Sequence, residues 1–199
     1  MGFTVAIVGV VLAYTWLIDP IAPRWVAAAA GTVVIGLALL RALKTGEWGL
    51  RPSAFLPALG WSAAITGAGA LAMYAAGSRL RTLHDRPDVW GNVAVLIPWA
   101  LGQQFALQTV LLQESQATVA KSAGIWVAAL LFASLHLPNP FLTAATFIGA
   151  LAWCRVYDRY PNLLPLALSH AILTLAILYA FDDRITGGLR VGAAYLTRH

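Results

Sequence analysis

Seven long apolar segments alternate with short polar connectors along the chain. Their approximate bounds are residues 2–18, 25–43, 54–77, 89–113, 122–137, 140–155 and 163–181. An α-helix needs about 20 predominantly apolar residues to cross the hydrocarbon core of a bilayer. The pattern therefore predicts an all-α fold, a polytopic transmembrane helix bundle of about seven helices.

The connectors contain the turn and charge signals. Pro138-Asn139-Pro140 breaks the chain sharply between the fifth and sixth segments, and residues 78–88 form the most charged connector. No cation precedes the first apolar segment, so we expect it to be a retained membrane helix rather than a secretory signal. No connector is long enough to separate two domains, which predicts a single integral membrane domain over residues 1–199.

Composition supports a membrane protein. Hydrophobic residues make up 60% of the chain, charged residues 11%, and the mean hydropathy is +0.74. Soluble domains contain about 45–50% apolar and about 25% charged residues. The formal net charge of +5 comes from cations in the connectors, where they meet lipid head groups. We therefore expect a lipid bilayer around the protein and no nucleic-acid partner. Lysines and arginines are spread evenly over the connectors and leave the orientation open.

Polar residues interrupt three of the apolar segments. Gln103, Gln104 and Gln108 lie in the fourth segment, His136 near the end of the fifth, and His170 and Thr174 in the seventh. In an α-helix, Gln104 and Gln108 share a face, and Gln103 lies about 100° away. Polar side chains in a bilayer face the bundle interior and pair with one another.

Two interpretations of these residues follow. They form a structural network of neutral hydrogen bonds, each contributing about 0.6–2 kcal/mol, or they converge on a functional site. Two histidines can also bind a metal, although no third strong ligand is evident. The single cysteine, Cys154, has no partner for an internal disulfide.

Three motifs in chain order resemble the CPBP (Abi) family of intramembrane proteases, which includes CAAX prenyl endopeptidases and bacteriocin-processing proteins. The family shows Glu-Glu-x-x-x-Arg on one helix, where this chain has Gln103-Gln104-x-x-x-Gln108. Its Phe-x-x-x-His motif is present as Phe132 to His136, and its last histidine motif as His170 to Thr174. Flanking segments from Gly49 and from Asn162 are similar too. The family-like core extends over about residues 48–180.

The resemblance implies an intramembrane active site at Gln103, Gln104, Gln108, His136, His170 and Thr174. In the family, the glutamates are thought to activate water and the histidines to position it and to stabilise the oxyanion. A carboxamide cannot act as the base, so the substitutions predict a degenerate, naturally inactive member. Glu114 is about 15 Å further along the helix. We expect it at the membrane interface, as a poor substitute base.

Three hypotheses remain open. The first is a non-proteolytic scaffold or accessory subunit in a bacterial cytoplasmic membrane that binds another membrane protein or a lipidated, hydrophobic ligand. The second is an active intramembrane endopeptidase that cleaves a membrane or prenylated protein. The third is a tetrapyrrole- or metal-binding membrane subunit that uses His170 or His136 as a ligand. The sequence specifies no cofactor.

Overall fold

The computed structural model describes residues 1–19, 21–23, 25–85 and 89–197, with the backbone alone at Val89 and Trp90. Pro20 and Arg24 of the first turn, residues 86–88 of the charged connector, and residues 198–199 lie outside the described residues. Within the described ranges, each of the seven apolar segments is helical.

The helices follow the predicted segments with ends shifted by a few residues. In chain order they are α1 (Gly2–Ala13), a π-helix (Tyr14–Ile18), α2 (Trp25–Thr45), a 3₁₀ turn (Pro52–Ala54), α3 (Phe55–Leu80), α4 (Val89–Ala106), a second π-helix (Leu107–Leu112), α5 (Gln113–Thr118), α6 (Lys121–Ser134), α7 (Pro140–Arg159), α8 (Leu163–Ala180), α9 (Asp183–Thr186), a 3₁₀ turn (Gly187–Leu189) and α10 (Gly192–Leu196). The prediction of an all-helical membrane protein is confirmed.

Four helical segments of the described chain are long and apolar enough to cross a membrane. They are Trp25–Thr45, Pro52–Leu80, Gly91–Thr118 and Leu163–Ala180. Two further apolar helices, Gly2–Ile18 and Lys121–Ser134, are shorter. α7 occupies the sixth predicted segment but is not among the four, and it contains Arg155, Asp158 and Arg159. The chain is an integral membrane protein.

The predicted breaks coincide with observed helix ends. The Asn139 side chain accepts a hydrogen bond from Leu142 N at 3.1 Å, and Asn162 caps α8 by accepting from Leu164 N at 3.2 Å. These bonds satisfy backbone donors that the first turn of a helix leaves unpaired. α3 ends at Leu80, because the next residue, Arg81, has a left-handed backbone with a φ of 58° that stops the helix.

The chain divides into two compact units, each discontinuous in sequence. The first comprises Met1–Trp48, Phe105–Cys154 and Leu189–His199, and the second comprises Gly49–Gln104 and Arg155–Gly188. The division falls inside α4 and inside α7, so the helices themselves connect the units.

Parallel packing of α3 and α8 forms the core of the second unit. Thr66 contacts Ser169, and a Cβ at Gly69 would lie 2.8 Å from Leu173 Cδ2. At the helix ends, a Cβ at Gly77 would collide with the backbone oxygen of Ala180. Each contact pairs a residue of α3 with one about a hundred positions later, so the two helices run in the same direction.

Hydrogen bonds from the connectors join α3 and α8 at both ends of this parallel pair. At the start, Arg51 N donates to Pro161 O at 3.1 Å and Leu163 N donates to Gly49 O at 2.8 Å. At the end, Thr82 Oγ1 donates to Ala180 O at 2.7 Å. The bond from Thr82 satisfies a carbonyl that the last turn of α8 leaves unpaired. The relative position of α3 and α8 is therefore set at both ends.

Candidate functional site

The six predicted site residues belong to different units. Gln103 and Gln104, at the end of α4, lie in the second unit with His170 and Thr174 of α8. Gln108 and His136 lie in the first unit. Each group is described below within its own unit.

A hydrogen bond joins Gln104 to His170 inside the second unit. The Gln104 side-chain nitrogen lies 3.4 Å from His170 Nδ1, and both side chains are buried. With the amide nitrogen as donor, the imidazole accepts at Nδ1 and holds its single proton at Nε2. The pair is electrically neutral, which suits a buried position in an apolar helix bundle. A network of neutral hydrogen bonds between segments is one of the two interpretations that the sequence left open, and this bond is of that kind.

Two hydroxyl-bearing residues of α3 extend this polar cluster, and sequence reasoning missed both. Thr66 Oγ1 and Ser169 Oγ are joined by a 2.7 Å hydrogen bond, next to His170 in sequence. Thr66 Oγ1 also bonds the backbone oxygen of Ser62 at 2.7 Å. The Ser62 hydroxyl, one turn earlier, is buried and has no hydrogen-bond partner among the described residues. The spacing of Ser62 and Thr66 on one helical face was the available signal.

Thr174 lies on the same helix as His170, and Gln103 is next to Gln104 in α4. The Thr174 hydroxyl donates to the backbone oxygen of His170 at 3.0 Å, so it is used within its own helix. The Gln103 side chain is half-buried. Neither residue carries an ionisable group. Within the second unit's cluster of Ser62, Thr66, Gln104, Ser169, His170 and Thr174, the histidine is the one ionisable residue, and it is neutral.

In the first unit, Phe132 orients His136. His136 Nδ1 lies 2.9 Å from the backbone oxygen of Phe132, and the two rings are 5.1 Å apart with a 58° tilt. A carbonyl only accepts, so Nδ1 holds the proton and Nε2 is the acceptor of the neutral ring. The four-residue spacing of the Phe-x-x-x-His motif produces both contacts, because residues i and i+4 meet on one helical face.

Asn139 holds the turn that follows His136. Asn139 N donates to His136 O at 3.1 Å, and its side-chain nitrogen donates to Arg190 O at 2.9 Å. Gly192 N donates to Leu137 O at 2.8 Å, so the segment before α10 is bonded to the same turn. These bonds fix the position from which the histidine projects.

Gln108 lies in the π-helix Leu107–Leu112 and is fully buried. The change from α-helix to π-helix begins between Gln104 and Gln108. Single π-helical turns inside α-helices are rare and frequently occur at functional sites. The prediction that these two glutamines share one face assumed uniform α-helical geometry, and it stays a prediction.

Glu114, which we expected at the membrane interface, is buried in the first unit. Its Oε2 accepts from the backbone nitrogen of Thr4 at 2.9 Å and lies 3.2 Å from the Met1 ammonium. Its Oε1 lies 3.8 Å from Arg41 Nε. No local pattern indicated these contacts, because the partners lie far away along the chain. The carboxylate is occupied by two cations and a backbone donor, so it is not a free base.

Among the described residues, no group of three or more histidine, cysteine or acidic side chains is placed to hold a metal ion. One histidine is enough to ligate the metal of a tetrapyrrole, and His136 and His170 are the two candidates. The acceptor Nε2 of His136 is the better prepared of the two, since its Nδ1 is already bonded to a backbone carbonyl, as in many ligating histidines.

Comparison with known families gives a match to the segment that contains the six predicted site positions. A family model described as type II CAAX prenyl endopeptidase Rce1-like matches residues 85–176. All six predicted site positions fall inside this match, which itself lies inside the predicted family-like core. Comparisons with curated proteins and with solved structures gave no match. The resemblance to CPBP proteases is thus confirmed over residues 85–176, where this helical membrane protein is similar to the Rce1-like type of CAAX prenyl endopeptidase.

Proposed function

We propose that this chain is a non-proteolytic CPBP-like membrane protein of a bacterial cytoplasmic membrane. In this proposal it binds another membrane protein or a lipidated, hydrophobic ligand, as a scaffold or accessory subunit. The sites are the positions that match the family active site: Gln103, Gln104, Gln108, His136, His170 and Thr174. Their role is to bind and orient rather than to cleave.

The observation that carries the proposal is the contact between the Gln104 amide and His170 Nδ1 at 3.4 Å. A general base must take up a proton near neutral pH, and a carboxamide does not. A carboxylate at position 104 would supply that base beside the imidazole. The amide instead supplies a hydrogen-bond donor, and it leaves the histidine neutral with a donor N–H at Nε2. Such a pair is suited to hold a polar group of a bound partner.

The environment of Glu114 supports the same proposal. It is the one acidic residue in the described fourth-segment helices, since α4, the second π-helix and α5 contain no other Asp or Glu. Its carboxylate is held by Thr4 N, the Met1 ammonium and Arg41. A carboxylate engaged by two cations and a backbone donor is already paired, so it does not serve as the base that cleavage needs.

Purification from the native membrane in a gentle detergent tests the proposal. We expect a membrane protein or a hydrophobic ligand to co-purify with the wild-type chain, and to be lost or reduced when Gln104→Leu and His170→Leu are combined. Thr32→Val is the matched control, because the Thr32 hydroxyl is exposed and bonds only its own helix at Ala28 O. A wild-type chain that runs alone, with no bound protein or hydrophobic ligand, would contradict the proposal.

A second candidate function rests on His136. Its Nδ1–H bonds Phe132 O at 2.9 Å, which leaves Nε2 as a metal-ligating atom for a tetrapyrrole or an ion. An absorption spectrum of the purified protein tests this function directly. A visible band that disappears with His136→Ala and persists with His84→Ala would support it, whereas a spectrum showing only aromatic absorption would contradict it.

A further inference from the structure

Residues 189–196, here called the strap, form a short segment of the first unit that contains α10. Two hydrogen bonds attach the strap to the turn that follows α6. Asn139 Nδ2 donates to Arg190 O at 2.9 Å, and Gly192 N donates to Leu137 O at 2.8 Å. The strap is therefore bonded to the part of the chain that carries the histidine of the Phe-x-x-x-His motif.

The strap also contacts the π-helix at the end of α1. Gly192 is buried and has a left-handed backbone, with a φ of 57°. A Cβ at this position would collide with the backbone oxygen of Thr15. Glycine alone meets both requirements, because it has no Cβ and adopts a positive φ without steric cost. The docked position of the strap thus depends closely on Gly192.

Docking of the strap requires an unfavourable backbone at its first residue. Leu189 has a φ of 55°, in the left-handed region where the Cβ of an L-residue is too close to the following carbonyl oxygen. The two residues before it, Gly187 and Gly188, are left-handed as well, but glycine adopts this region readily. The strain is therefore confined to Leu189, and detachment of the strap would relieve it. Strained residues of this kind cluster at switch regions and ligand clamps.

We propose that the strap is a detachable lock on His136, with a docked state, which the structure shows, and an undocked state. In the docked state, the bonds to Leu137 and from Asn139 hold the turn after α6, and His136 Nδ1 stays 2.9 Å from Phe132 O. In the undocked state, Leu189 relaxes to an ordinary backbone, the turn loosens, and the imidazole leaves the Phe132 carbonyl. The ring proton is then no longer fixed at Nδ1.

The lock connects the strap to binding at His136. While Nδ1 holds the proton, Nε2 is a hydrogen-bond acceptor and a metal-ligating atom. A ligand that bonds to Nε2 therefore favours the docked strap, and detachment of the strap weakens the binding of such a ligand. The position of the ring proton can be measured without any ligand, so the inference does not depend on the function proposed above.

Nuclear magnetic resonance of the full chain in detergent micelles, with isotope-labelled histidine and glycine, tests the lock. We expect wild-type His136 to hold its proton at Nδ1 and the Gly192 amide to be protected from hydrogen exchange. Asn139→Ser removes the donor to Arg190 O but keeps an oxygen that can accept from Leu142 N and cap α7. This variant should speed exchange of the Gly192 amide by at least about fivefold and shift His136 towards a mixture of tautomers.

His84 is the internal control for the ring signals. Its Nδ1 lies 3.0 Å from Thr82 O in the second unit, so Asn139→Ser should leave its tautomer unchanged. Faster exchange at Gly192 with an unchanged His136 ring would overturn the proposal, because the strap would then have only a structural role. A Gly192 amide that exchanges only when the whole protein unfolds would overturn it too, because the strap would then not detach by itself.

A matched pair of variants at position 189 tests the contribution of the strain. Leu189→Ala and Leu189→Gly both remove the leucine side chain, but only the glycine variant removes the cost of the left-handed backbone. We expect the Gly192 amide to exchange roughly two- to fivefold more slowly in Leu189→Gly than in Leu189→Ala, and His136 to show a larger share of the Nδ1–H tautomer. Equal exchange in the two variants, or faster exchange in the glycine variant, would overturn the proposal.

Discussion

Thr66 on α3 and Ser169 on α8 share a 2.7 Å hydrogen bond, one residue before the histidine that contacts Gln104. The bond connects two parallel helices at the level of the polar cluster. Because the apolar surroundings offer few other partners, this pair contributes both to the helix contact and to the position of His170 along it.

Removing this bond should destabilise the folded protein modestly. Hydrogen bonds between membrane helices contribute about 0.5–2 kcal/mol. We expect Thr66→Val and Ser169→Ala each to lower the free energy of unfolding within that range, and a double-mutant cycle to show that their effects are coupled. Thr32→Val is the control for loss of a hydroxyl that bonds within its own helix. Strictly additive effects in the cycle would contradict a direct interaction.

Asn162 should contribute more than an ordinary helix cap. Its side-chain oxygen accepts from Leu164 N at 3.2 Å and its nitrogen donates to Arg51 O at 3.1 Å, and the residue is 3% exposed. Asn162→Ala removes both bonds and should cost about 2 kcal/mol, whereas Asn162→Ser keeps a capping acceptor and should cost about half as much.

Thermal unfolding in detergent measures this difference. Asp182→Ala is the control, because Asp182 caps the short helix α9 by accepting from Arg184 N and Ile185 N within its own turn. If Asn162→Ser is as destabilising as Asn162→Ala, the serine hydroxyl does not replace the acceptor that Asn162 provides for Leu164 N.

The buried Glu114 should stabilise the first unit through its charge. Glu114→Gln preserves an oxygen that can accept from Thr4 N but leaves Arg41 without its carboxylate. Removing one partner of a buried ion pair costs about 3 kcal/mol or more, because the other charge stays in a poorly solvated position. Combining Glu114→Gln with Arg41→Met should restore part of the loss, since both charges of that pair are then removed and only the Met1 ammonium keeps its charge.

Chemical unfolding of the wild type, the single Glu114 variant, the double variant and a Glu47 control in the same detergent checks the prediction. Glu47→Gln, at an exposed position before the second unit, should change the free energy of unfolding by no more than about 0.5 kcal/mol. A Glu114→Gln protein as stable as the Glu47→Gln control would show that the carboxylate contributes no net stability.

Restoring the family motif should restore chemistry if the site keeps its protease geometry. We expect Gln103→Glu, Gln104→Glu and Gln108→Arg together to cleave a membrane-anchored reporter peptide in liposomes at least about 10²-fold faster than the wild type. This factor is the lower end of what general-base catalysis supplies. Adding His136→Ala to the restored chain should abolish the gain.

Two other outcomes would distinguish the hypotheses. Cleavage by the wild-type chain that vanishes with His136→Ala would identify an active endopeptidase and would contradict the non-proteolytic proposal. A restored chain that folds but does not cleave would show that the neutral cluster has lost the protease geometry as well as the base.

Local patterns predicted the helices because each depends on a short stretch of chain. Runs of apolar residues gave the seven helical segments, and the prolines of the Pro138-Asn139-Pro140 turn gave the sharpest boundary. The π-helices were not predicted. Leu107–Leu112 and Tyr14–Ile18 are as apolar as their neighbours, so composition does not distinguish a widened turn from a regular one.

The polar cluster was predicted in part. Gln104 and His170 were named because polar residues in apolar segments need partners, and the structure shows the bond between them. Thr66 and Ser62 were missed since a hydroxyl in a membrane helix usually bonds its own backbone. Only the packing of α3 on α8 brings Thr66 to Ser169.

The sequence by itself determined that the chain is a membrane protein, where its helices lie, and which ionisable groups its family-like motif lacks. These properties follow from side-chain chemistry and from the length needed to cross a bilayer. Tertiary structure alone decided which polar groups meet. Glu114 depends on Thr4 and Arg41 for its burial, and Gly69 approaches Leu173 only where α3 and α8 pack in parallel. Such contacts join residues far apart in the chain, and no local pattern specifies them.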